Sequence, residues 1–135
     1  MTGYTERLAL ARRFHTALIS RDWEGLRALL CDDVAWVLPG DNAISGRIEG
    51  AEAVVAHVRK IASYGVKFEL EHLLVSRTDV ALSLHNTAER DGVRLDEHLA
   101  TVCRVRDGKI ASIETFLSDV EGMNAFFVEP SMAKY

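Results

Sequence analysis

A glutamate set among apolar neighbours is a candidate proton carrier, because loss of water disfavours its charged form. Glu97 has such a setting if the chain is folded back on itself at Asp91-Gly92. Asp-Gly between alternating segments marks a two-residue hairpin turn. Counting outward from it pairs Arg90 with Val93, Ala88 with Leu95, Asn86 with Glu97, Leu84 with Leu99, Leu82 with Thr101 and Val80 with Cys103. Beyond Arg90 at the turn, that face is apolar except for Asn86, Glu97 and Thr101. A carboxylate there suits general acid or base work, with Asn86 or a threonine hydroxyl polarising a carbonyl. The alternative is that Asn86 and Glu97 lie at the open rim near the turn and are simply hydrated.

Other candidates carry paired readings too. Asp119 follows the last strand as either a carboxylate at a pocket mouth or the cap of a short final helix. His15 falls on the buried side of the first helix and reaches a ligand or a core hydrogen bond. His72 shares a strand face with Phe68, Leu70 and Leu74, as a pocket imidazole or a satisfied buried one. Trp36 and Tyr64 line the pocket or an interface, and Arg47 meets an anionic ligand or water. His85 and His98 face each other on the opposite side of the hairpin. Two imidazoles alone do not make a metal site and no third ligand is apparent, so no metal is expected and the pair reads as a hydrogen bond at a dimer interface.

The elements that must position these groups follow from periodicity. Leu8, Ala11, Phe14, His15 and Leu18 recur at helical spacing and predict a helix over Thr5–Ser20 capped by Thr5. Asp22 caps a second, short helix, and Val34–Leu38 is a strand ended by Pro39-Gly40. Asp41–Gly50 reads as loop and Glu52–Ser63 as a third helix with Val54, Val58 and Ile61 on one face. Strands follow over Val66–Ser76, Val80–Arg90, Val93–Arg106 and Ile110–Leu117, with Asp107-Gly108 as a second hairpin turn; Ser118–Phe127 closes the chain. At that second turn a plain two-residue loop points Ser112 and Glu114 inward, whereas a bulge points Ile113 and Thr115 inward; the bulge keeps Glu114 in solvent. Helices segregated from an antiparallel meander predict one α+β domain spanning 1–135, with helices on one face of the sheet. The other face, carrying His85/His98, Ser83/Ala100 and Ala81/Val102, is small and polar with few charges, which predicts a homodimer through it.

Composition narrows the partners. Hydrophobic residues make up 48% and charged residues 27%, with a formal net charge of −4. This is a balance for a full core and against nucleic acid. No apolar run is long enough to span a bilayer, and the first residues lack a signal-peptide layout. Cys31 and Cys103 have no metal spacing and read as reduced thiols in a cytoplasmic protein. No phosphate-binding glycine loop is present, so no cofactor is implied.

The run Asp32-Asp33-Val34-Ala35-Trp36-Val37-Leu38-Pro39-Gly40, then Ser45-Gly46-Arg47-Ile48-Glu49-Gly50 before a helix, and the strand ending Arg104-Val105-Arg106-Asp107-Gly108-Lys109-Ile110 resemble the SnoaL-like branch of the nuclear transport factor 2-like superfamily. The resemblance extends over residues 5 to 127. It implies a cone-shaped α+β barrel, commonly dimeric, whose members include ketosteroid isomerases, polyketide cyclases, epoxide hydrolases and non-catalytic binders. It also implies where polar pocket groups would fall: Val37 on the first strand, Leu82 and Leu84 on the hairpin, Thr101 on the next strand and Thr115 on the last. Here those positions are apolar or hydroxyl-bearing, which argues against epoxide hydrolysis. The expectation is an apolar pocket for a small hydrophobic molecule, touched by His15, Val37, His72, Leu84, Asn86, Leu99, Thr101 and Thr115. Glu97 and Asp119 are its candidate catalytic carboxylates. Three functions compete: proton-transfer chemistry without a cofactor, non-catalytic binding of such a ligand, or assembly through the outer sheet face.

Overall fold

The computed structural model describes residues 2–129, so the span 1–135 expected of the domain runs past the described residues at both ends. α1 covers Tyr4–Ser20 and starts one residue earlier than its periodicity suggests. Gly3 is the N-cap, and Glu6 Oε1 accepts from its backbone N–H at 3.3 Å, so Thr5 is inside the helix rather than capping it. α2 (Trp23–Ala28) is capped as expected, Asp22 accepting from the Gly25 N–H at 2.9 Å. α3 (Ala51–Ser63) buries Val54, His57, Val58 and Ile61 on one stripe, and α4 (Val120–Phe126) closes the described chain.

The strands are β1 (Leu30–Leu38), β2 (Gly46–Glu49), β3 (Lys67–Val75), β4 (Asp79–Arg90), β5 (Val93–Arg106) and β6 (Lys109–Leu117). They form one curved, unclosed sheet in the order β2-β1-β6-β5-β4-β3, in which β1 runs parallel to β6 and every other neighbour pair is antiparallel. The loop expected over Asp41–Gly50 therefore contains a strand. β2 has no apolar alternation to announce it, because it is an edge strand held by pairing with β1.

The β4–β5 ladder follows the counted register throughout, Asn86 opposite Glu97 included. Its turn residues Asp91 and Gly92 have φ of 52° and 79°, the left-handed pair that a tight hairpin matched to strand twist needs. The second turn combines the two anticipated forms. Arg106 pairs with Lys109 around a two-residue Asp107-Gly108 turn, and the slip occurs one pair further on, where Val105 meets Ile110 but Arg104 meets Ser112. Ala111 is the extra residue. The slip puts Ile113 and Thr115 inside, both buried, and leaves Glu114 exposed.

The helices pack on the concave face, α1 against β3 and β4, α3 against β1, and α4 against β5. Leu10, Leu26, Leu30, Leu82, Ile110 and Ile113 are among the fully buried side chains between the layers. Arg7 is buried on α1 and ties it to the β3–β4 turn: its guanidinium donates to the carbonyls of Ser76 and Asp79, each at 2.6 Å, and of Arg77 at 3.1 Å. Both cysteines are free, and burial pushes the Cys103 thiol up to about 12. No described helix is long and apolar enough to cross a membrane.

Candidate functional site

Between the helices and the concave sheet lies a partly open cavity of about 50 Å³, walled by apolar side chains that include Phe14, Trp36, Ile61, Leu84 and Leu99. That is room for on the order of four waters. Three polar side chains interrupt the wall: Asn86, Thr101 and Thr115. Alternation along β4 and β5 brings Leu84, Asn86, Leu99 and Thr101 to this face, and the Ala111 slip brings Thr115 beside Thr101.

Thr115 is oriented by a neighbour. The Trp36 indole N–H donates to Thr115 Oγ1 at 2.9 Å in a fully buried bond. The hydroxyl that accepts this bond keeps its own proton to donate. His57 packs edge-on to Trp36, with ring centroids 5.4 Å apart, and its Nε2 lies 2.8 Å from the carbonyl oxygen of Ile44. Burial, the largest influence, holds the His57 imidazole below its ordinary value; the bond to Ile44 opposes this and the charge of Lys60 reinforces it. His57 is a buried polar residue not among the candidates above, and its spacing with Val54, Val58 and Ile61 is the sequence signal that puts it on the buried stripe of α3.

Glu97 is 1% exposed, so the hydrated-rim reading does not hold. Its Oε1 accepts from the Asp119 backbone N–H at 2.8 Å and from the Ser118 hydroxyl at 3.2 Å. Among the described residues its Oε2 has no partner, and neither does Oδ1 of Asn86, the residue directly opposite. Two adjacent strand positions thus present bare acceptor oxygens in the interior, with Asn86 reaching the cavity wall. Buried acceptors without donors are costly and uncommon, and each asks for a proton or a donor.

The remaining candidates fall elsewhere. The Asp119 carboxylate is exposed and caps α4, accepting from the Gly122 N–H at 3.0 Å; it meets Glu97 through its backbone only. His72 is exposed. A bulge between Leu70 and His72 shifts the register of β3, so that Leu73 takes the inward position opposite Leu82 and His72 turns out opposite Ser83. Val37 is exposed too, because Val34, Trp36 and Leu38 take the inward alternation of β1. The half-buried His15 places Nε2 2.8 Å from the Phe68 carbonyl oxygen, tying α1 to β3 away from the cavity wall. Arg47 is paired with Glu49 at 2.6 Å on the surface, and the Tyr64 hydroxyl donates to the Val128 carbonyl at 3.1 Å.

A curved open sheet with helices in its concavity and an apolar cavity between them define a nuclear transport factor 2-like domain. The chain belongs to the SnoaL-like domain family, whose sequence profile matches residues 11–113. Among solved structures it is similar to Bal32a from a soil-derived mobile gene cassette, at 29% identity and a TM-score of 0.86, over 91% of this chain and 97% of that one. It is also similar to a protein of unknown function with a cystatin-like fold from Xanthomonas campestris, at 26% identity and a TM-score of 0.82, over 91% and 98% of the two chains. A ketosteroid isomerase candidate from Kribbella flavida is 25% identical with a TM-score of 0.70, over 85% of this chain and 79% of that one. No curated protein matches the chain.

Proposed function

We propose that this chain holds a small, largely apolar molecule in its cavity and moves a proton on it, with Glu97 as the group that takes or gives the proton. The observation that carries this reading is the bare, buried Oε2 of Glu97 opposite the equally bare Oδ1 of Asn86. Oε1 is anchored by Ser118 and Asp119, which fixes the carboxylate while leaving its other oxygen for chemistry. Thr101 and Thr115 are the donors suited to polarise a carbonyl on the cavity wall, Thr115 being already oriented by Trp36. The family includes isomerases and cyclases, which is the reaction class this arrangement fits. The cavity is far below the ~300–1,000 Å³ of drug-sized ligand sites. A larger substrate would therefore enter by displacing Met123 of α4 and Phe127 just after it, which complete the wall.

Thermal-shift screening against ketosteroids and aromatic polyketides tests binding. Glu97→Gln then tests chemistry, with an expected loss of ~10²–10⁴-fold in any turnover found. Turnover unchanged in that variant would remove Glu97 from the mechanism. A non-catalytic binder is the second reading, favoured by the smallness of the cavity and by Glu97 standing behind Asn86 rather than on the wall itself. It predicts ligand-induced stabilisation with no product formed. In either reading the part of the outer sheet face around Leu74 and Phe116, 54% and 53% exposed, pairs with a second copy and leaves the His85/His98 end open. Light scattering that returns a monomer would refute that pairing.

A further inference from the structure

One cluster outside the cavity has a donor set that proton transfer does not use. His85 of β4 and His98 of β5 are directly opposite on the outer face, their rings stacked with centroids 4.2 Å apart and planes within 7°. Asp96 precedes His98 by two residues, so the pleat puts it on the same face. Its Oδ1 lies 2.6 Å from His85 Nε2. One ligand atom from each of the three side chains lies within 4.8 Å of the others. The β4–β5 ladder is unbroken from Asp79↔Arg104 to Arg90↔Val93, so the backbones beneath are fixed and only side-chain torsions remain to adjust.

The geometry points to a divalent transition-metal site, of the kind that takes zinc, made by His85, Asp96 and His98. Two imidazoles and a carboxylate are a ligand set that leaves a tetrahedral zinc one open position. Bonds of ~2.0–2.2 Å would bring the ligand atoms to roughly 3.3 Å from one another. The widest edge must therefore contract by at most about 1.5 Å, a rotation available to side chains as open as Asp96 and His98, 64% and 59% exposed. Glu71 of β3 adds the outer partner. Its Oε1 lies 3.3 Å from His98 Nδ1, and accepting the Nδ1–H leaves Nε2 bare for a metal. The open position would face a surface hollow of about 460 Å³ bordered by Lys67, His85, Glu89, Arg94 and Asp96. The pair His85/His98 offers two ligands by itself; Asp96 supplies the third that sequence inspection did not find.

The test is titration of the chelator-treated full chain with Zn²⁺ by calorimetry and with Co²⁺ by visible absorption. The expected result is one equivalent per chain, a four-coordinate Co²⁺ spectrum and a Zn²⁺-dependent rise in unfolding temperature. His85→Ala and His98→Ala should each weaken binding at least ~10-fold, and Glu71→Gln ~10-fold, the usual cost of losing an outer partner. Their metal-free unfolding temperatures should stay at the parent value, which separates lost ligation from lost fold. Absence of saturable binding at one equivalent, or affinity unchanged in both histidine variants, would overturn the site.

Discussion

Replacing Glu97 separates a carboxylate kept for chemistry from one kept for structure. In Glu97→Gln the amide oxygen can still accept from the Asp119 N–H and the Ser118 hydroxyl, now without charge assistance. Hydrogen bonds to charged groups contribute roughly 1.5–3 kcal/mol and neutral ones roughly 0.5–1.5, so this weakening costs about 2–3 kcal/mol over the two bonds. Against it, the bare Oε2 is replaced by an NH₂ group, a donor that can serve the unpartnered Asn86 Oδ1 across the ladder. Removing an unpartnered buried acceptor returns roughly 1–3 kcal/mol. The two effects nearly cancel, and Glu97→Gln should unfold within about 1 kcal/mol of the parent. Glu97→Ala has no such compensation. It strands the Asp119 N–H and leaves a hole in the interior, for a loss of roughly 3–5 kcal/mol. Urea unfolding of the three proteins measures both differences. If Gln proves as destabilising as Ala, then Oε2 is satisfied in solution and the case for Glu97 as an available proton carrier fails. If Gln is neutral for stability yet abolishes turnover, the carboxylate is retained for chemistry.

Asp119→Asn should keep both the cap and any activity, while Asp119→Ala should lose about 1 kcal/mol of stability with turnover unchanged; a selective loss of activity in Asn would return a catalytic role to that carboxylate. Trp36→Phe removes the indole donor to Thr115. It should cost roughly 1–3 kcal/mol in thermal unfolding, and ligand affinity should fall with it if the threonine is being held for a ligand. Arg7→Met, which frees two carbonyls bonded at 2.6 Å, should destabilise by roughly 3–5 kcal/mol and raise amide exchange in the β3–β4 turn first. His57 is held below its ordinary value of 6.5 by burial. Its contribution to stability is therefore complete above about that pH, where both states are neutral. It is lost as pH falls below 6.5 toward the folded value, because the unfolded chain binds the proton more readily. Unfolding midpoints measured downward from neutral pH should show this acid limb, and His57→Gln should flatten it.

Local rules made the β4–β5 hairpin legible, since one Asp-Gly turn and a period of two determine every pair, including Asn86 with Glu97. The errors arose where one residue breaks that period. The extra residue before His72 reverses the faces of the second half of β3, and nothing in Phe68-Glu69-Leu70-Glu71-His72-Leu73-Leu74-Val75 announces it, because Leu73 and Leu74 are equally apolar. Val37 was misplaced for a different reason. A family position was carried onto a strand whose own alternation, Val34, Trp36, Leu38, already gave the inward set.

The candidate site was harder to read than the fold because its meaning lies in what its atoms lack. Sequence can place Glu97 inside, but only the fold shows that one of its oxygens is held by residues at the start of α4 and the other by none of the described residues. The same contacts make the site a junction. The Asp119 backbone anchors Glu97 while the Asp119 side chain starts α4, the helix whose Met123 helps close the cavity. Any movement of α4 that admits a ligand must therefore be felt at the carboxylate, through the 2.8 Å bond from the Asp119 N–H and the 3.2 Å bond from the Ser118 hydroxyl. Access to the cavity and the setting of the proposed proton carrier are, on this geometry, coupled through the two residues that lead into α4.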